Sequence, residues 1–148
     1  MKKFIVLLVM SMALFSCSLD DDTVNFHYEY LGTEYAEFPD EEMQVNSTYT
    51  IDVFYYLPST CYTFLGVSSE QNNDPAYNQA EGTEYFIALN AQVNDNLTCE
   101  PLEEAEPESA SITFTPLTAG TYRFRFLSGI DDATGNYTYL DYEVEVVE

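Results

Sequence analysis

The chain has 148 residues, with 26 Asp and Glu against four Lys and Arg, for a formal net charge of −22. It is nonetheless 46% hydrophobic and 16% aromatic, which excludes an acidic disordered chain and leaves room for one domain with its own core. The charge excludes nucleic-acid binding, because such a surface repels phosphates.

The first residues, Met1-Lys2-Lys3, precede an uncharged run, FIVLLVMSMALF, over residues 4–15. A bilayer-spanning helix needs about 20 apolar residues, so this run reads as the core of a secretory signal peptide. It ends in Leu14-Phe15-Ser16-Cys17, which resembles the lipobox of bacterial lipoproteins. The resemblance implies that residues 1–16 are removed and that Cys17 carries a diacylglyceryl thioether and an acylated amine. Each buried methylene contributes about 0.8 kcal/mol, so two or three acyl chains hold a protein firmly at a membrane. Ser18-Leu19-Asp20-Asp21-Asp22 then resembles the surface-export signal of Bacteroidota outer-membrane lipoproteins. Read as charge alone, residues 17–23 form an extended, solvated tether. The resemblance implies an outer-membrane, lipid-anchored protein exposed at the cell surface; a periplasm-facing orientation is the alternative. Asp22-Thr23-Val24 is similar to the O-glycosylation triplet of that phylum. Without the signal, only Arg123 and Arg125 oppose the 26 acids, so the mature net charge is −24.

From residue 24 to 148 the dominant signal is alternation. VNFHYEY groups Val24, Phe26, Tyr28 and Tyr30, which predicts a core-facing row. TYTIDVFYYL groups Tyr49, Ile51, Val53, Tyr55 and Leu57, and CYTFLGV is apolar on both faces, as a central strand would be. EYFIALNAQV groups Tyr85, Ile87, Leu89, Ala91 and Val93; SITFT groups Ile112 and Phe114. TYRFRF sets Tyr122, Phe124 and Phe126 against two arginines, and YLDYEVEV sets Leu140, Tyr142, Val144 and Val146 against acids. These are seven segments of period two with no sustained helical period, so an all-β, antiparallel two-sheet sandwich is expected. FPDEEMQVNS, SSEQNNDPAYNQAEGT and CEPLEEAEPESA read as polar or proline-marked loops.

Three local features refine this. Cys61 and Cys99 are an even pair that predicts a disulfide in an oxidising compartment; two reduced buried thiols are the alternative. LTAGTYRF, Leu117 to Phe124, resembles the tyrosine corner of immunoglobulin-like and fibronectin-type sandwiches. That resemblance implies an immunoglobulin-like sandwich in which Gly120 permits a tight entry and the Tyr122 hydroxyl bonds upstream backbone. Finally, a hairpin around DDATGN, Asp131 to Asn136, predicts outward pairs Arg125–Glu143 and Arg123–Glu145, with Phe126 facing Tyr142 and Phe124 facing Val144. An arginine clamp for an anionic ligand is the other reading of the two cations.

Candidate chemistry is sparse. His27 is the only histidine, so the usual zinc and copper ligand sets cannot be assembled. Asp131, Asp132 and Asn136 around Gly135 offer oxygens suited to Ca²⁺, or simply form a polar hairpin tip. No nucleophile motif or phosphate loop is present, and the expectation is a non-enzymatic binding or spacer module. Phe54, Tyr56, Tyr137 and Tyr139 fall opposite the presumed core faces and are candidates for a platform that binds a protein or a glycan. An exposed aromatic row on a concave sheet would favour a glycan-binding accessory lipoprotein of a polysaccharide-uptake system. A flat acidic face without such a row would favour a spacer or protein-binding surface.

Overall fold

The computed structural model describes residues 25–73, 82–102 and 106–148. The signal segment, Cys17, the tether and Val24 lie outside the described residues, as does the stretch 74–81 of the long polar loop. The described chain is all-β. Its strands are β1 (Phe26–Leu31), β2 (Thr33–Glu37), β3 (Met43–Gln44), β4 (Tyr49–Tyr55), β5 (Tyr62–Gln71), β6 (Thr83–Asn94), β7 (Glu108–Phe114), β8 (Gly120–Ile130) and β9 (Tyr137–Val147).

Two sheets pack face to face. The smaller runs β2-β4-β7, antiparallel throughout. The larger has six strands organised around β6. One edge of β6 carries β5. The other is shared: β8 runs parallel along Thr83–Ile87, and β1 runs antiparallel along Leu89–Asn94. Beyond β8 come β9, antiparallel, and β3, parallel to β9.

The interior is what period two demands. Ile51, Val53 and Tyr55 from the smaller sheet meet Ile87, Leu89, Phe124 and Phe126 from the larger, all 2% exposed or less. Phe114 stands edge-on to Tyr122 and Phe124, at 5.2 and 5.0 Å between ring centres. Tyr55 stacks on Phe64 across the sheets at 4.9 Å. Trp is absent from the sequence, and core tyrosines use their hydroxyls to satisfy backbone. Tyr142 accepts from the Ala36 amide at 3.0 Å, tying the two sheets together. Tyr49 accepts from the Gln44 amide, and Tyr122 donates to the Thr118 carbonyl at 2.9 Å, just before Gly120, whose φ is +138°.

The disulfide joins Cys61, 2% exposed, to Cys99. It fastens the start of β5 to the segment after β6, and Thr60 N to Glu100 O at 3.0 Å adds a backbone bond beside it.

Several sequence expectations are corrected. The sandwich is not antiparallel throughout: β6–β8 and β3–β9 are parallel pairs, joined through connections long enough to cross over. β1 does not face the core: Phe26, Tyr28 and Tyr30 are 43%, 66% and 54% exposed, and only Leu31 is buried. They lie opposite Asn94, Gln92 and Asn90, the outward residues of β6. Alternation shows which residues share a side; the partner strand decides which side that is. β5 is an edge strand rather than a central one, with Leu65 exposed at a bulge, and it extends through Ser68–Gln71, which read as loop. β2 and β3 were not anticipated, because Thr33, Ala36 and Met43 are their only buried side chains.

The β8–β9 register is also displaced by two residues from the expected one. Arg123 faces Glu143, Arg125 faces Asp141, Phe124 faces Tyr142 and Phe126 faces Leu140. Ile130 pairs with Tyr137, which alone would set odd residues against even ones. A bulge between Leu127 and Gly129 absorbs one residue and restores odd-with-odd pairing. The alternation therefore holds while the partners shift.

Candidate functional site

The shared edge of β6 creates a fork. β8 leaves β6 after Phe126, β1 takes over at Leu31, and the two diverge on the outer side of the larger sheet. Gly32 lies at the crotch: a Cβ there would stand 2.4 Å from the Ser128 carbonyl oxygen. Leu127 points outward yet is only 5% exposed, and it lies outside the main core cluster. It is the floor of the fork.

Aromatic rings surround that floor. Tyr30 from β1 and Tyr137 from β9 meet edge to face, 6.2 Å between centres. On one side of this ridge is a cleft of about 660 Å³ lined by Tyr30, Ser68, Glu70, Phe86, Tyr137 and Tyr139, among others. On the other is a cleft of about 450 Å³ lined by Tyr28, Tyr30, Gly32, Leu127, Ile130 and Tyr137, among others. The volumes fall within the usual range of ligand pockets, and the walls combine apolar rings with a few polar groups.

Arg125 braces the larger cleft. Its guanidinium lies 4.7 Å from the centre of the Tyr139 ring and 5.4 Å from that of Phe86. Its Nε donates to Asp141 at 2.9 Å, and Glu84, with a 4% exposed side chain, is 3.9 Å away. Asn72 donates to the other Glu84 oxygen at 2.8 Å. With its charge balanced in this way, Arg125 fixes the rings rather than presenting a free cation. Arg123 is likewise paired, with Nε 3.0 Å from Glu143.

The sequence candidates separate. Tyr137 and Tyr139 are at the fork. Phe54 is on the opposite side of the molecule, stacked on Tyr35 at 4.4 Å, and Tyr56 follows β4 in the chain. Sequence reasoning placed Tyr28 and Tyr30 in the core and overlooked Phe86. The available signal was β1 itself, which offers three aromatics in alternation but only one aliphatic, Leu31.

At the hairpin tip, Asp131 Oδ1 accepts from the Ala133 amide at 3.1 Å and from the Thr134 amide and hydroxyl at 2.8 Å. The Thr134 bonds hold this carboxyl below its ordinary pKa. Asp131 is thus committed to its own turn. Among the described residues, no group of three or more His, Cys, Asp or Glu is placed to hold a metal ion, and no helix is long and apolar enough to cross a membrane.

No family model, curated protein or solved structure matches this chain.

Proposed function

We propose that this chain is an outer-membrane lipoprotein, anchored through a lipidated Cys17 and an acidic tether, whose domain is a non-enzymatic module that binds a neutral glycan at the fork. The observation that carries the binding reading is the exposed aromatic row, Tyr28, Tyr30 and Tyr137, set over two clefts that share the Tyr30–Tyr137 ridge. Flat rings present apolar faces to the C–H faces of sugar rings, while Ser68, Glu70 and the outward amide of Gln92 offer hydrogen-bond partners beside them. A mature charge of −24 disfavours anionic polysaccharides. The aromatic row therefore favours a glycan-binding accessory role over a spacer, with surface display as the matching orientation.

The domain reads as an immunoglobulin-like relative. The β2-β4-β7 sheet, the parallel β3–β9 pair and the tyrosine turn before β8 support this. It departs from the usual strand order in placing β6 between β5 and β8.

Globomycin is expected to block processing of the precursor, and Cys17→Ala to release the protein from membranes. Protease shaving of intact cells tests display. For binding, the protein has 13 tyrosines and no tryptophan, so the change in tyrosine emission during titration with soluble neutral polysaccharides, compared between the parent and Tyr30→Ala, isolates the contribution of the aromatic row. A saturable change is expected; a flat response to every neutral polysaccharide contradicts the reading.

A further inference from the structure

The outer side of β1 supplies Tyr28 and Tyr30 to the clefts, while its inner side carries His27 and Glu29. These oppose Val93 and Ala91 but lie past the covering sheet, and both remain exposed. On this half of the strand both inward side chains are polar, and neither belongs to the apolar core. A hydrogen-bonded chain takes its place: His27 Nδ1 lies 2.8 Å from Asp95 Oδ1, and His27 Nε2 lies 2.8 Å from Glu29 Oε1. Tyr62 on β5 donates its hydroxyl to Glu29 Oε2 at 2.6 Å. Asp95 N also donates to Asn25 O at 2.9 Å, closing the end of the strand.

Hydrogen-bond valence makes this chain sensitive to protons. An ionised carboxylate only accepts, so both imidazole nitrogens must donate at once. Neutral imidazole has one N–H and cannot satisfy both partners. We infer that His27 is a proton-operated latch on β1: as the imidazolium it bridges Glu29 and Asp95 and holds Tyr28 and Tyr30 in place, and on losing its proton it releases one partner and loosens that wall of the clefts.

The groups facing His27 are Glu29 on its own strand, Asp95 after β6 and, through Glu29, Tyr62 on β5. Their shifts agree. Glu29 and Asp95 raise the His27 pKa above its ordinary 6.5, while Tyr62 and then His27 lower that of Glu29. The Tyr62 hydroxyl is pushed up to about 12, so it stays a donor throughout. A raised histidine pKa gives a stabilisation that is complete below 6.5 and lost as pH rises through the folded value. The latch is therefore closed in mildly acidic surroundings and opens in alkaline ones.

The test uses the detergent-solubilised mature lipoprotein. Because His27 is the sole histidine, selective ¹⁵N-histidine labelling gives one unambiguous titration. Both nitrogens are expected to be protonated at pH 6, with a midpoint above 6.5. Hydrogen exchange in β1, corrected for intrinsic rates, should accelerate about two- to fivefold between pH 6 and pH 8.5, the range of an exposed ion pair. His27→Gln should abolish that pH dependence, and Asp95→Asn should lower the midpoint. A midpoint at or below 6.5, or β1 exchange unaffected by pH, overturns the latch.

The link to the clefts rests on the glycan reading and separates from it. Affinity for a neutral polysaccharide should fall in parallel with β1 protection. Equal affinity at both pH values overturns the link and leaves glycan binding standing. A titrating latch with no glycan bound at either pH leaves the latch and overturns glycan binding.

Discussion

The fork depends on a hydrogen atom at position 32. Gly32 lets the chain leave β1 within van der Waals reach of the Ser128 backbone, where a methyl group would collide with a carbonyl oxygen at 2.4 Å. Backbone cannot rotate aside as a long side chain can, so Gly32→Ala is expected to destabilise by about 1–3 kcal/mol, read from denaturant midpoints. The same variant should weaken the edge-to-face contact of Tyr30 with Tyr137, because Tyr30 lies two residues before the clash. Unchanged stability would mean that β1 and β8 are further apart than described. Nothing in the local sequence singles out Gly32, since the requirement comes from a strand almost a hundred residues later in the chain.

Among the elements, those readable from sequence are the ones with two well-defined sides. β4, β6, β8 and β9 alternate cleanly, and their inward residues form the core. β2 and β3 escaped because a short strand with one or two buried side chains leaves no period to detect. β1 showed a perfect period that pointed the wrong way, and Tyr30 went with it. The β8–β9 hairpin kept its parity through a bulge at Ser128, which composition does not reveal. Within its sheet β5 pairs only with β6, and the disulfide fastens its start. The bridge spans 38 residues and so contributes about 4 kcal/mol in the loop-entropy description. Replacing Cys61 and Cys99 by alanine should lower unfolding free energy by about that amount, with the first loss of exchange protection in β5. A variant as stable as the parent would show that the six-stranded sheet needs no staple.

For the whole molecule, charge and shape act in opposite directions. The full chain carries −22, and −24 without residues 1–16, with Arg123 and Arg125 both paired to carboxylates on β9. Self-repulsion of this size opposes compaction and is screened by salt. The melting temperature should therefore rise on going from 10 mM to 500 mM sodium chloride; a fall would mean that the ion pairs outweigh the repulsion. Composition made the acidity legible, and alternation the two-sheet, all-β class. The clefts were not legible, because they arise where two strands that are distant in sequence share one edge of a third.

Glycan binding at the fork is tested most directly by affinity electrophoresis of residues 17–148 through gels containing neutral polysaccharides, run beside Tyr30→Ala and Tyr137→Ala. Both tyrosines are more than half exposed, so either truncation should leave the fold intact. At least one polysaccharide is expected to retard the parent, and each substitution to remove most of the retardation, about tenfold or more in affinity for a lost stacking ring. Parent and variants migrating alike in every gel would contradict glycan binding at the fork.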